Sequence, residues 1–142
     1  MKVNLFESTI GREEIAAAEG VGVKKMHPWI GVDLDGTLAH YNGWKGYHHI
    51  GKPVPLMVRR VKEWLRTGWE VRILTARACE PEGILPVHAW VKRHLGVFLT
   101  VTANKDLGLV AILDDRAIQV RRNTGRLVGR MKMSKPCGTV KP

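Results

Sequence analysis

Trp29-Ile30-Gly31-Val32-Asp33-Leu34-Asp35-Gly36-Thr37-Leu38 runs apolar for four residues and then places two aspartates at i and i+2 ahead of a glycine. Read as a strand, its period of two sends Asp33 and Asp35 to one face, so both carboxylates converge at the strand's carboxyl end. Such an end offers a nucleophile and ligands for a hard cation in a single turn. Gly36 gives the freedom for a sharp reversal and leaves backbone N–H groups open to an anion.

The same design recurs further along. Ile73-Leu74-Thr75-Ala76-Arg77 is an apolar run ending in a hydroxyl, and Val110-Ala111-Ile112-Leu113-Asp114-Asp115-Arg116 is one ending in an acidic pair, with Asn104-Lys105-Asp106 between them. Taken singly, each piece has an ordinary structural reading. An aspartate after an apolar run caps a helix or solvates a strand end, Thr75 is a capping residue, and Lys105 is a surface lysine. Asp114 and Asp115 are different, because adjacent like charges repel unless a cation sits between them.

Around these motifs the chain alternates between strand and helix patterns. Met57, Val61, Trp64 and Leu65 fall at helical spacing from about Pro55 to Thr67, with Gly68 as the stop. Val71–Leu74 reads as a strand, and a helix is expected to begin near Pro86, with Val87, Trp90, Val91 and Leu95 on its apolar face and Gly96 at its end. Residues 97–101 and 110–113 are β-branched and apolar without strict alternation, as in a parallel sheet covered on both faces. Ala117 to Val120 reads as a helix start or a turn, and Gly125 to Gly129 as a short edge strand. In an open α/β sheet the ligand site lies beyond the carboxyl ends of the strands, where Asp33, Thr75 and Asp114 all fall.

The four ordered motifs resemble those of the haloacid dehalogenase (HAD) superfamily between about Trp29 and Gln119. The resemblance implies a single capless HAD-like domain, with a three-layer Rossmann-like parallel sheet and helices on both faces. It also implies a phosphatase in which Asp33 is the nucleophile and Asp35 the acid/base, with Thr75 binding phosphate and Lys105 as the third motif's lysine. Asp33 would form an aspartyl-phosphate, dividing one hard displacement into two easier ones. Two carboxylates and a phosphate dianion require cations, and Mg²⁺ held by Asp33, the backbone carbonyl of Asp35 and Asp114 meets that need. Asp115 is expected to orient a metal-bound water or Lys105, while Thr75, Lys105 and backbone N–H groups near Leu34, Asp35 and Ala76 hold the phosphate oxygens.

The segments Leu38 to Pro53 and Thr75 to Lys105 leave no room for a cap, so the site is expected to be open to large substrates unless an oligomeric partner supplies a lid. Asp114-Asp115-Arg116 followed by Ile118-Gln119-Val120 is also similar to the 3′-phosphatase module of phage-type polynucleotide kinases, although no kinase P-loop occurs. Nucleotides or nucleic-acid 3′-phosphates are the expected substrates. A phosphoacceptor receiver domain carries similar residues in another order, with the acidic pair first. The rival of another class is a catalytically idle HAD-like protein that binds nucleic acid through its basic C-terminal segment. Trp44, Tyr47 and His40, His48 and His49 follow the first motif in a loop, 39–52, that either packs over the site or simply anchors on the core.

Length and charge bound the remainder. The chain has 142 residues, is 44% hydrophobic and carries a formal net charge of +10. From Arg116 onward there are eight basic residues and no acidic one, which leaves only +2 for everything before. Such a segment would concentrate a polyanion. Lys2, Asn4 and Glu7 interrupt any signal-like start and no long apolar segment follows, so a cytoplasmic location without membrane contact is expected. Cys79 and Cys137 lack metal-type spacing, and Cys79 is expected to be a small apolar filler. The expected organisation is a helical extension over 1–28, a catalytic domain over 29–131 and a basic tail over 132–142.

Overall fold

The computed structural model describes residues 26–130, so the expected N-terminal helix, the tail and Cys137 lie outside the described residues. Strands β1 (Trp29–Val32), β2 (Glu70–Leu74), β3 (Val101–Thr102) and β4 (Leu109–Leu113) form one parallel sheet in the order β3-β2-β1-β4. Helix α1 (Pro55–Arg66) links β1 to β2, and helix α2 (Pro81–Leu95) links β2 to β3. The chain is therefore an α/β protein. Among the described residues, no helix is long and apolar enough to cross a membrane.

β1 lies between β2 and β4 with all four of its residues buried, which explains its unbroken apolar pattern. Ile30 and Val32 join Val71 and Ile73 in a single core with Met57 and Val61 of α1 and Val87, Trp90, Val91 and Leu95 of α2. Each such side chain contributes roughly 1.5–3 kcal/mol through the water it leaves. Both helices thus pack on the same face, as expected when two successive crossovers step in one direction across a sheet.

The expectation of helices on both faces is not met among the described residues. The crossover from β3 to β4 has only residues 103–108, too few for a helix. The second face is covered instead by the Trp29 ring, with the Arg72 guanidinium 4.4 Å above its centroid. Among the described residues β4 has no further strand beside it, and Val110 and Ile112 are 56% and 38% exposed.

Four local expectations also shift. α2 begins at Pro81 and contains Pro86, because Pro81 already occupies the first turn, where a missing N–H costs nothing. The strand expected over 97–101 shrinks to Val101–Thr102. Gly96 adopts φ +79° and turns the chain outward, leaving Phe98 exposed and only Leu99 inward. Residues 117–130 hold no helix and no full strand; a single Val120–Leu127 bridge closes around Asn123, which sits at φ 61°. Cys79 is exposed rather than a filler, because it ends a 3₁₀ turn (Ala76–Cys79) on the surface.

Candidate active site

The site forms where β1 runs out. Asp33 extends the ladder by one bond, its N–H donating to the Leu113 carbonyl at 2.8 Å. The chain then winds into a tight turn in which the Leu34 carbonyl accepts the N–H groups of Thr37, Leu38 and Ala39. Leu34, Leu38 and Ala39 are fully buried and fasten this turn to the core. Gly36 sits at φ +91°, and a Cβ there would lie 2.6 Å from an Asp115 carboxylate oxygen, so only glycine admits the acidic pair this close.

β4 delivers Asp114 and Asp115 to the same place. Thr37 ties the two strand ends together: its Oγ accepts the Asp115 N–H at 3.0 Å and lies 3.4 Å from Asp33 Oδ2. Asp33, Asp114 and Asp115 each present a carboxylate oxygen, and the three lie within 4.8 Å of one another. Among the described residues, no lysine or arginine makes an ion pair with any of them.

This convergence has an electrostatic consequence. Burial, followed by the charge of Asp114, pushes Asp33 up from 3.8 to about 7; Asp115 and Asp35 add to the rise and the Leu34 N–H offsets part of it. Three carboxylate oxygens gathered this closely, the one on Asp33 partly buried, are donors of the kind a hard divalent cation such as Mg²⁺ takes. Asp33, Asp114 and Asp115 are the residues that could hold one.

Asp35 does not join this group. β1 ends at Val32, so the period of two does not carry through the turn, and the Asp35 carboxylate points to Arg77 instead. Arg77 Nε donates to Oδ2 at 2.6 Å and Nη2 to Oδ1 at 2.9 Å, a two-pronged ion pair. The remaining guanidinium N–H groups donate to the Gly46, Tyr47 and His49 carbonyls at 2.9–3.2 Å. All five donors are used, and Arg77 is only 3% exposed. The guanidinium also lies 4.7 Å from the Trp44 ring centroid. The aromatic loop is therefore clasped to Asp35.

Comparison of the chain with protein-family models, curated proteins and solved structures finds no match. The site must be read from its own geometry.

Thr75 is buried at the carboxyl end of β2, where its side chain caps the 3₁₀ turn by accepting the Arg77 N–H at 3.3 Å. It lies two residues past Ile73, the partner of Val32 in β1, its N–H donating to the Thr102 carbonyl at 2.9 Å, and Ala76 follows it at the surface. Lys105 is exposed, and among the described residues it makes no ion pair with the three carboxylates. Its neighbour Asp106 is anchored at the amino ends of β1 and β2, accepting the Trp29 indole N–H at 2.6 Å and an Arg72 N–H at 2.8 Å. The 103–108 crossover runs from Thr102, beside Leu74, down to this anchor, and Lys105 falls between the two.

Two contributors escaped the sequence reading. Thr37 stands in the first motif, but its bridge to Asp115 spans 78 positions and has no local signature. Arg77 follows Thr75 by two, and nothing in Thr-Ala-Arg announces a buried guanidinium.

Proposed function

We propose that the chain is a Mg²⁺-dependent phosphomonoester hydrolase of HAD type, capless, working through an aspartyl-phosphate on Asp33. The observation that carries this reading is the convergence of Asp33, Asp114 and Asp115 at the carboxyl ends of two adjacent parallel strands, with Asp33 raised to about 7 by burial and by the neighbouring carboxylates. In this reading the fold is a reduced version of the three-layer Rossmann-like arrangement, and the crossover over 103–108 stands where a helix would otherwise lie.

Bound Mg²⁺ would supply the positive charge that lets Asp33 ionise beside a phosphate and that offsets charge on the transferring group. Asp33, Asp114 and the Asp35 carbonyl would hold it, and Asp115 would orient its water. An Asp33 oxygen attacks phosphorus in line, and the ester P–O bond breaks as the aspartyl-phosphate forms. Asp35 gives the leaving oxygen its proton, then takes one from the water that splits the intermediate. Arg77 fixes the plane of that carboxyl, so the proton is carried on the lone pairs turned away from the guanidinium. Thr75 and the N–H groups of Leu34, Asp35 and Ala76 surround the phosphate oxygens. Lys105 has no step in this scheme.

The test is phosphate release from nucleotides, sugar phosphates and a 3′-phosphorylated oligonucleotide, in Mg²⁺ or in EDTA, for the native chain and Asp33→Asn. Release that needs Mg²⁺ and vanishes in the variant supports the reading. Release that persists in EDTA or in Asp33→Asn overturns it, and no release at all shifts the weight to an idle protein that binds polyanions through the arginines beyond Asp115.

A further inference from the structure

We infer that Trp44 is a stacking platform for the base of a nucleoside phosphate whose phosphate group occupies the Asp33 site, an inference that rests on the phosphatase reading of that site. Three observations lead there. The first is position. The Trp44 ring lies 4.7 Å from the Arg77 guanidinium, which in turn grips Asp35, so a single guanidinium separates the ring from the first motif.

The second is rigidity. Loops that merely lie over a site move, and a moving ring would lose rotational freedom on stacking. Here three carbonyls of the loop, at Gly46, Tyr47 and His49, are tied to an arginine with no donor left over. Tyr47 meets Trp44 edge-on, with centroids 5.0 Å apart. The ring is thus held in place before any ligand arrives, yet 42% of Trp44 remains exposed. Trp29 and Trp90 are 0% and 8% exposed and Trp69 is as exposed as Trp44, so it is the Arg77 and Tyr47 contacts that make Trp44 a fixed and accessible ring.

The third is charge. From Gly36 to Lys62 the chain holds five lysines or arginines, three histidines and no acidic residue. Lys45 is exposed next to Trp44, and Lys52, Arg59 and Lys62 continue along the surface into α1. A flat ring beside cations, adjoining a phosphate site, matches a base joined to a phosphate. A free nucleotide and the end of a nucleic-acid strand share this chemistry.

The experiment measures kcat/KM in Mg²⁺ for ribose phosphate, nucleoside 3′- and 5′-monophosphates and a short 3′-phosphorylated oligonucleotide. The variants are Trp44→Ala, Trp44→Phe and, as a control, Phe98→Ala, whose exposed ring lies against Lys92. Stacking of one base changes affinity by about 5- to 150-fold, so the native nucleotide-to-ribose-phosphate ratio should be at least about fivefold. That ratio should fall to about one in Trp44→Ala, persist largely in Trp44→Phe and stay unchanged in Phe98→Ala. Because a loosened loop would slow both substrates alike, the ratio isolates stacking from folding. A native ratio of one, or a ratio that survives Trp44→Ala, overturns the inference. An oligonucleotide turned over faster than the mononucleotides supports it and identifies the strand end as the source; the reverse order supports it with free nucleotides. If no substrate releases phosphate, the hydrolase reading fails separately. Equilibrium binding of the same nucleotide and ribose phosphate then decides, with a base preference lost in Trp44→Ala in favour and none in the native chain against.

Discussion

Asp106 and Asp33 mark opposite ends of β1, and they meet opposite surroundings. At the amino end, Asp106 accepts from the Trp29 indole, the Gly108 N–H and Arg72, and these hold its carboxyl below the usual carboxylate range, the indole bond most of all. At the carboxyl end, Asp33 meets burial and further carboxylates and rises to about 7. One end is a finished piece of structure. The other gathers three carboxylates that, among the described residues, have no basic partner, and the proposed cation and substrate site rests on that contrast.

The largest expected effect follows from removing the unsatisfied carboxylate. Asp33→Asn keeps the shape and removes the nucleophile, so phosphate release should fall by at least about 10⁴-fold, some 5 kcal/mol of barrier. Folding should not suffer, because the change also relieves repulsion. A variant that kept a tenth of the native rate would end the case for covalent catalysis at Asp33. Next comes Arg77→Gln, which strands Asp35 and three loop carbonyls. Breaking a buried pair of this kind typically costs about 3–5 kcal/mol, read as a lower Tm or denaturant midpoint. A loss below about 1 kcal/mol would show the clasp to be incidental.

The two ends should also separate by pH. Asp33 has a folded value above its unfolded one, so the folded state binds the proton more tightly and stability is lost as pH rises from about 4 to about 7. Asp106 has the reverse sign, and its contribution is lost as pH falls through its lowered value, below the ordinary 3.8. A metal-free thermal melt series should therefore peak near pH 4 to 5 and decline on either side through different residues. Adding Mg²⁺ should restore Tm at pH 7 far more than at pH 4.5. Asp114→Asn should flatten the upper limb and weaken the Mg²⁺ response. An upper limb that is flat in the native chain would contradict the convergence of carboxylates.

What could be read from the sequence follows the same division. The strand ends were legible because an apolar run closing on Asp33, Thr75 or Asp114 is a local signal, and in a parallel sheet such ends gather in one place. The turn at Gly36 was legible too, since few residues tolerate φ +91°. The Arg77 ion pair of Asp35 was not legible, because β1 ends at Val32, three residues earlier, and strand alternation does not carry through the turn. Arg77 was passed over because its five bonds reach back 28 to 42 positions, a closure that no window of sequence displays. The start of α2 was set at the wrong one of two prolines, since both fit a first turn and only packing chooses between them. Among the described residues, the absence of a helix between β3 and β4 follows from the six residues of 103–108, too few to form one and still span the sheet.

The smallest expected effect tests the crossover itself. Lys105 stands where the motif order asks for a cation, yet Asp106 beside it is fastened by three contacts at the far end of β1. Lys105→Ala should then change turnover by less than about twofold and stability by no more than about 0.5 kcal/mol, as for an exposed lysine without an ion pair. Asp106→Asn should lower Tm slightly while leaving the Mg²⁺ response in place, because it disturbs only the finished end. The two variants together decide whether the sheet's ends act independently. If Lys105→Ala abolished release, Lys105 would act at the Asp33 site, and any movement of the crossover that brought it there would pull on the Trp29–Asp106 bond. Asp106→Asn would then alter kcat rather than Tm alone, so the same pair of measurements separates a fixed crossover from a moving one.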